Sequence, residues 1–134
     1  MQTPIVGVTL HPPQQFYAGD DWVIAASCSD GDGNPIDLTV AELTWRLNDA
    51  DGINRLELSE GNGIVLIENV SGDLIIGECM IQVSSTRTVG LVPAFYSDEL
   101  TIIDGNRRVF TQFAGRIDVL AKLSGPVSGP VSGG

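Results

Sequence analysis

The chain has 134 residues, 17 acidic and 7 basic side chains, and a net charge of −10, which fits one domain with extensions. A surface this acidic, with Lys122 as its single lysine, excludes the clustered bases that hold a nucleic-acid backbone and a polybasic membrane patch. At 43% hydrophobic residues it is too apolar to stay disordered, and its 16 glycines and 7 prolines favour turns and short elements over long helices.

Residues 1–19 read as an N-terminal extension or edge strand. Met1–Val8 has no basic leader region and no long apolar core, and no apolar run in the chain approaches 18 residues. The expectation is therefore a protein made in the cytoplasm that does not span a bilayer. His11-Pro12-Pro13 cannot lie in a central strand, because proline has no N–H to donate; Val6–Leu10 could add an edge strand or reach a neighbouring molecule.

Residues 20–123 carry period-2 alternation. Trp22–Cys28 puts Trp22, Ile24, Ala26 and Cys28 on one face. The best helix candidate is one turn near Leu38–Glu42, which Asp37 or Thr39 could cap, but the segment reads as the loop leading into the next strand. Leu43–Asn48 follows with Leu43, Trp45 and Leu47 inward. Ile53–Leu58 carries Leu56 and Leu58 inward, and Ile64–Ile67 is shorter, with Leu66 inward. Leu74–Val83 is apolar on both faces and reads as central, with Ile76 and Met80 assigned to the core. Phe95–Ile103 alternates through Tyr96, Leu100 and Ile102. Arg108–Phe113 and Arg116–Leu123 form a long final strand, with Phe110, Ile117 and Val119 inward and a bulge or bend expected at Gly115.

Turn chemistry separates these runs at Gly31–Pro35, Asn48–Gly52, Gly61–Gly63, Ser71–Asp73 and Asp104–Asn106. Short strands with turns every 8–12 residues or so indicate a sandwich or barrel. The expected fold is all-β, an Ig-like antiparallel β-sandwich of about 7–8 strands. The inward set is large enough to close a core at roughly 1.5–3 kcal/mol per buried apolar side chain before entropy is subtracted. Residues 124–134 repeat Ser-Gly-Pro-Val and read either as a flexible tail or as a docking arm ordered by a partner.

Few constellations point to chemistry. Asp30, Asp32, Asn34 and Asp37 suggest a calcium loop, but Pro35 and Ala41 stand where an EF-hand needs Gly and Glu; a hydrated hairpin turn is the simpler reading. Asp20-Asp21, Asp49 with Asp51, Asp98-Glu99 and Asp104 are acids close in sequence, as a glycosidase dyad would require in space, although acids in turns are ordinarily just solvated. His11 is the single histidine, so any triad would depend on it, and no nucleophile or phosphate-loop motif accompanies it. Cys28 and Cys79 read as buried thiols or as a disulfide across two sheets; two cysteines and a distant histidine are too few for a metal site. Phe16, Tyr17, Trp22, Phe95 and Tyr96 could be core or an exposed platform. No catalytic residue, metal or cofactor is expected.

Cys28, Trp45 and Cys79 resemble the Cys-Trp-Cys set of immunoglobulin domains. However, Gly77 stands where a tyrosine should precede the second cysteine, and Cys79 falls one strand early. A further resemblance spans Tyr17 to Leu120. Its residues are Ala18-Gly19-Asp20-Asp21-Trp22-Val23-Ile24, Asp32-Gly33-Asn34-Pro35-Ile36-Asp37-Leu38-Thr39 leading to Leu43–Leu47, and Tyr96–Ile103 followed by Asp104-Gly105. In this order they are similar to Ig-like domains of tailed-bacteriophage virion proteins, such as baseplate upper protein N-terminal domains and small prophage tail or neck proteins. Val92-Pro93-Ala94-Phe95 departs from that pattern, which has glycine near position 94.

The resemblance implies a non-enzymatic structural or adaptor protein of a virion, at the tail, neck, baseplate or head surface. It would be present in many copies or as a homo-oligomer, with other virion proteins as partners and no nucleic-acid or membrane partner. Pro12, Pro13, Phe16, Tyr17, Pro126, Val127, Pro130 and Val131 are the candidate partner contacts. The alternative is a carbohydrate-binding or adhesin-like module, which would need a row of exposed aromatics; a hydrolase would need two close carboxylates in a cleft.

Overall fold

The computed structural model describes residues 9–10 and 14–122. Nine strands occur there: β1 (Thr9–Leu10), β2 (Gln14–Tyr17), β3 (Trp22–Ser27), β4 (Glu42–Asn48), β5 (Asn54–Glu60), β6 (Gly63–Glu68), β7 (Leu74–Val83), β8 (Ala94–Ile103) and β9 (Val109–Leu120). They form one hydrogen-bonded path, β1-β9-β8-β4-β5-β6-β7-β3, with β2 also on β9. The path folds over at β5–β6, where only Ser59↔Gly63 and Glu60↔Ile64 pair. The result is two layers, β6-β7-β3 facing β5-β4-β8-β9. Taken from β3 to β9, the strands follow the order of an immunoglobulin-like sandwich. The Pro-rich entrance adds a parallel edge: Gln14–Tyr17 pairs with Ile117–Leu120, so this edge strand is part of the sandwich.

Between the layers lie Trp22, Ile24 and Ala26 from β3, Leu43, Trp45 and Leu47 from β4, and Tyr96, Leu100 and Ile102 from β8, all buried. Leu56, Leu66 and Phe110, expected inward, are only partly buried against this core. The segment read as a loop into β4 contains a 3-10 turn, Leu38–Val40, in which the Asp37 carboxylate accepts from the Thr39 N–H. The described residues end at Lys122, and the proposed tail, residues 124–134, lies outside them.

Three elements differ from the sequence reading. On β7 the inward residues are Cys79, Ile81 and Val83, while Ile76 is 63% exposed and Met80 is half-buried. An all-apolar strand has no internal phase; its partner sets it. Cys79, Ile81 and Val83 stand directly opposite Ala26, Ile24 and Trp22, and opposed residues share a face. The bulge in the last strand falls at Gln112, which is skipped between the pairs Leu100↔Phe113 and Thr101↔Thr111, while Gly115 pairs regularly with Asp98. Gln112 is buried, and its side-chain amide accepts from the Ser29 N–H and donates to the Ser29 carbonyl, at 2.8 and 2.9 Å. It therefore acts as a substitute ladder rung between β9 and the end of β3, tying the layers together. Finally, Ser85–Thr88 forms one helical turn, α1, although its β-branched and hydroxyl residues are poor helix formers. Tertiary bonds hold it: Ser85 N–H donates to the Asp21 carboxylate, and buried Thr88 donates to the Asp20 carbonyl while accepting from Gly19 N–H.

Candidate functional site

The acids that sequence singles out are mostly turn-forming groups. In four hairpins the first residue is Asp or Asn, and one side-chain oxygen accepts from the backbone N–H two and four residues on. Asp30 takes Asp32 and Asn34, Asp49 takes Asp51 and Ile53, Asn69 takes Ser71 and Asp73, and Asp104 takes Asn106 and Arg108. The second oxygen of Asp49 is bound by Arg55, and that of Asp104 by Arg108. Backbone N–H donors hold the Asp49 and Asp104 carboxyls below the usual carboxylate range, and the Thr39 hydroxyl does the same for Asp37. These are the bonds expected when a short polar side chain replaces a backbone acceptor in a turn.

Two surface cavities are bounded by these hairpins. One, of about 310 Å³, lies between the Asp49–Arg55 hairpin and the segment from Gly90 to Tyr96. The other, of about 400 Å³, lies between the Asp30–Asp37 and Asp104–Arg108 hairpins. While Asp32 and Asn34 of the candidate calcium loop do not line the second, it brings Asp30 and Asp37 of that loop beside Asp104. Their oxygens point into their own turns, and among the described residues no group of three or more His, Cys, Asp or Glu could hold a metal ion. His11 lies outside the described residues.

Asp98 is the exception among the acids. It is 2% exposed on β8, and its Oδ2 accepts from Trp45 Nε1 at 3.0 Å. Alternation puts it there: Tyr96, Asp98, Leu100 and Ile102 are the inward positions of β8, so sequence phase could have identified it as buried. It stands two residues after Tyr96, whose hydroxyl donates to the Val92 carbonyl at 2.7 Å. In antibody domains the equivalent tyrosine precedes the bridging cysteine by two; here an Asp holds that position, and its bond to Trp45 joins neighbouring strands of one layer. The cysteines lie elsewhere. Both are free and buried, on neighbouring strands of one layer rather than across the two: Cys79 is opposite Ala26, and Cys28 N–H donates to Gly77 O. A hydrogen bond with Cys79, together with burial, pushes the Cys28 thiol up, as expected of an unreactive buried thiol.

The candidate partner contacts divide. Pro12, Pro13, Pro126, Val127, Pro130 and Val131 lie outside the described residues. Phe16 turns inward and stacks on Trp22 with ring centroids 4.9 Å apart, so the core takes the ring proposed as a contact. Tyr17 is 41% exposed and Phe95 57%. Alternation and register place both on the outer face of the β9-containing layer, Tyr17 opposite Leu120 and Phe95 opposite Asp118. The Arg116 guanidinium lies 3.7 Å from the Phe95 ring centre and pairs with Asp118. Trp22, Trp45 and Tyr96 are buried and unavailable as a platform.

The outer face of the opposite layer is different in kind. Met80 stands between Ala25 and Val65, and the β6–β7 end adds Leu74 and Ile76, each at least 41% exposed. Sequence reading missed this face by assigning Ile76 and Met80 to the core.

No family model matches the chain, and no curated protein matches it. Among solved structures, the chain is similar to the crystal structure of CopC from Methylosinus trichosporium OB3b, with 9% sequence identity and a TM-score of 0.45 over 82% of this chain and 87% of that chain.

Proposed function

We propose that this chain is a non-enzymatic structural or adaptor protein of a tailed-phage or prophage virion, multi-copy and bound to other virion proteins. The observation that carries the reading is the commitment of its polar groups to holding shape: four hairpins closed by Asp or Asn side chains, and a buried Asp98–Trp45 pair. Added support comes from the residues that resemble virion domains, which fall on the turn into β3, the Asp30–Asp37 hairpin with its 3-10 turn, β4, and β8 with its closing hairpin. In a symmetric assembly, weak contacts repeated over many copies add up, because one bound contact raises the effective concentration for the next. The acidic surface would repel packaged DNA. Deleting residues 124–134 tests the docking-arm part of this reading: incorporation into particles should fall about tenfold, and unchanged incorporation would refute that part.

A second reading, a carbohydrate-binding module, is favoured by the placement of Tyr17 and Phe95 on one outer face. Arg116 already covers one side of the Phe95 ring, leaving less stacking surface than a sugar platform needs. A glycan array probed with the wild-type protein and with Phe95→Ala decides it: signal lost in the variant supports the module, and a blank array removes it.

A further inference from the structure

Charge is distributed very unevenly between the two layers. Residues 14–45 contain six acids and residues 59–86 contain four, and neither segment contains a single Lys or Arg. These segments include β3, β6 and β7, along with β2 and the start of β4; on β3, β6 and β7 themselves the charged residues are Glu68 and Glu78. The basic residues lie outside them, and six of the seven are already in ion pairs with the chain's own acids: Arg46, Arg55, Arg107, Arg108, Arg116 and Lys122.

The outer face of β6-β7-β3 therefore carries an apolar row with acids and no base beside it: Glu78 next to that row on the central strand β7, and Glu68 and Asp73 toward the β6–β7 hairpin, an acidic rim to one end of the row. The row Val65–Met80–Ala25 crosses all three strands in register, and exposed Leu74 and Ile76 lie toward the β6–β7 hairpin. Glu68 and Asp73 carry the remaining charge of these strands and the hairpin between β6 and β7. Interfaces of this build have a desolvated apolar centre and a charged rim that selects the partner.

We propose that this face is a docking surface for a second protein that presents an aliphatic segment flanked by Lys and Arg, the aliphatic groups covering Leu74, Ile76 and Val65 and the bases meeting the acidic rim. The identity of the occupant follows from charge. Residues 1–8 and 123–134 contain no charged side chain, so they cannot answer the rim. A second copy would bring a net charge of −10 and bases of which six of seven are already paired. The inference deepens the assembly reading above and rests on it for the partner's setting.

The test places a photo-crosslinking amino acid at position 76 of the full chain in producing cells, with position 101 on the other layer as the control, and maps crosslinked segments by mass spectrometry. The expected result is a crosslink from 76, absent from 101, to a different protein at a segment combining aliphatic and Lys or Arg residues. It should be weakened at least fivefold by Glu78→Lys, which leaves the apolar centre intact. A crosslink to a second copy, to residues 123–134 of the same chain, or to an acidic segment overturns the inference, as does no crosslink at all. Sedimentation of the same samples separates the two claims. A chain that travels with particles but gives no crosslink at 76 refutes this surface alone. A crosslinked chain found only outside particles refutes the virion setting.

Discussion

Arg107 is the described non-glycine residue with positive φ, at +65°. It occupies the position that Gly33, Gly52 and Gly72 hold in the three sister hairpins, at +87°, +82° and +88°. Each of these four residues donates its N–H to the carbonyl of the residue that opens the turn. Left-handed backbone costs a side-chain-bearing residue roughly 1–2 kcal/mol relative to glycine, against which glycine loses about 0.4–1 kcal/mol through the freedom it adds to the unfolded chain. Arg107→Gly also removes the ion pair to Glu42, whose side chains are 72% and 65% exposed; such pairs contribute a few tenths of a kcal/mol. The net expectation is a gain of about 0.5 kcal/mol, or ~2 °C in Tm for a domain of this size. Arg107→Ala separates the two causes, because it loses the pair and keeps the backbone strain, and it should be slightly less stable than wild type. Gly52→Ala is the reciprocal change. A Cβ there meets nothing within 4 Å, so its cost of about 1 kcal/mol would be purely conformational. Urea unfolding followed by fluorescence of the fully buried Trp22 and Trp45 reads all three. If Arg107→Gly is no more stable than Arg107→Ala, or Gly52→Ala is neutral, the common hairpin geometry is refuted.

Other outcomes follow from the same structure. Trp45→Phe removes the donor to buried Asp98 and should cost about 2 kcal/mol in urea unfolding; a neutral result would mean that Asp98 does not depend on the indole. Tyr96→Phe removes the bond to the Val92 carbonyl and should cost about 1 kcal/mol, read the same way. Gly77→Ala should be severely destabilising, visible as loss of soluble expression or a steep fall in Tm. The added Cβ would lie 2.8 Å from the Cys28 carbonyl oxygen at a φ of +82°. Asp37, Asp49 and Asp104 have carboxyls lowered from the ordinary 3.8. Their contribution is complete above that value and disappears as pH falls through their lower folded-state values. Unfolding free energy should therefore drop from about pH 4 downward, and Asp104→Asn should flatten that slope.

The inward faces of β3, β4 and β8 were legible in the sequence because apolar and polar residues alternate there, and a strand with one wet face has one possible phase. β7 was not, because Leu74-Ile75-Ile76 and Met80-Ile81 fill both phases, and only its register against β3 selects one. The same ambiguity hid the exposed apolar face. The turn positions were legible from Asp, Asn and Gly, but their shared bonding pattern emerges only when the four hairpins are laid side by side. Asp98 was read as a hydrated acid from its type, although its place between Tyr96 and Leu100 on an alternating strand argues for burial. Gln112 carried no local signal, since its partner Ser29 is 83 residues away in the chain. For Phe16 the sequence left core, platform and partner contact open, and the parallel edge strand on β9 decides it by placing the ring on Trp22.

The virion reading is tested most directly by quantitative mass spectrometry of gradient-purified particles from a producing culture. The account predicts the chain in the particle peak at a fixed ratio to the major structural proteins, retained through a high-salt wash. Recovery only in the soluble fraction, or in particles at a ratio that varies between preparations, would contradict it.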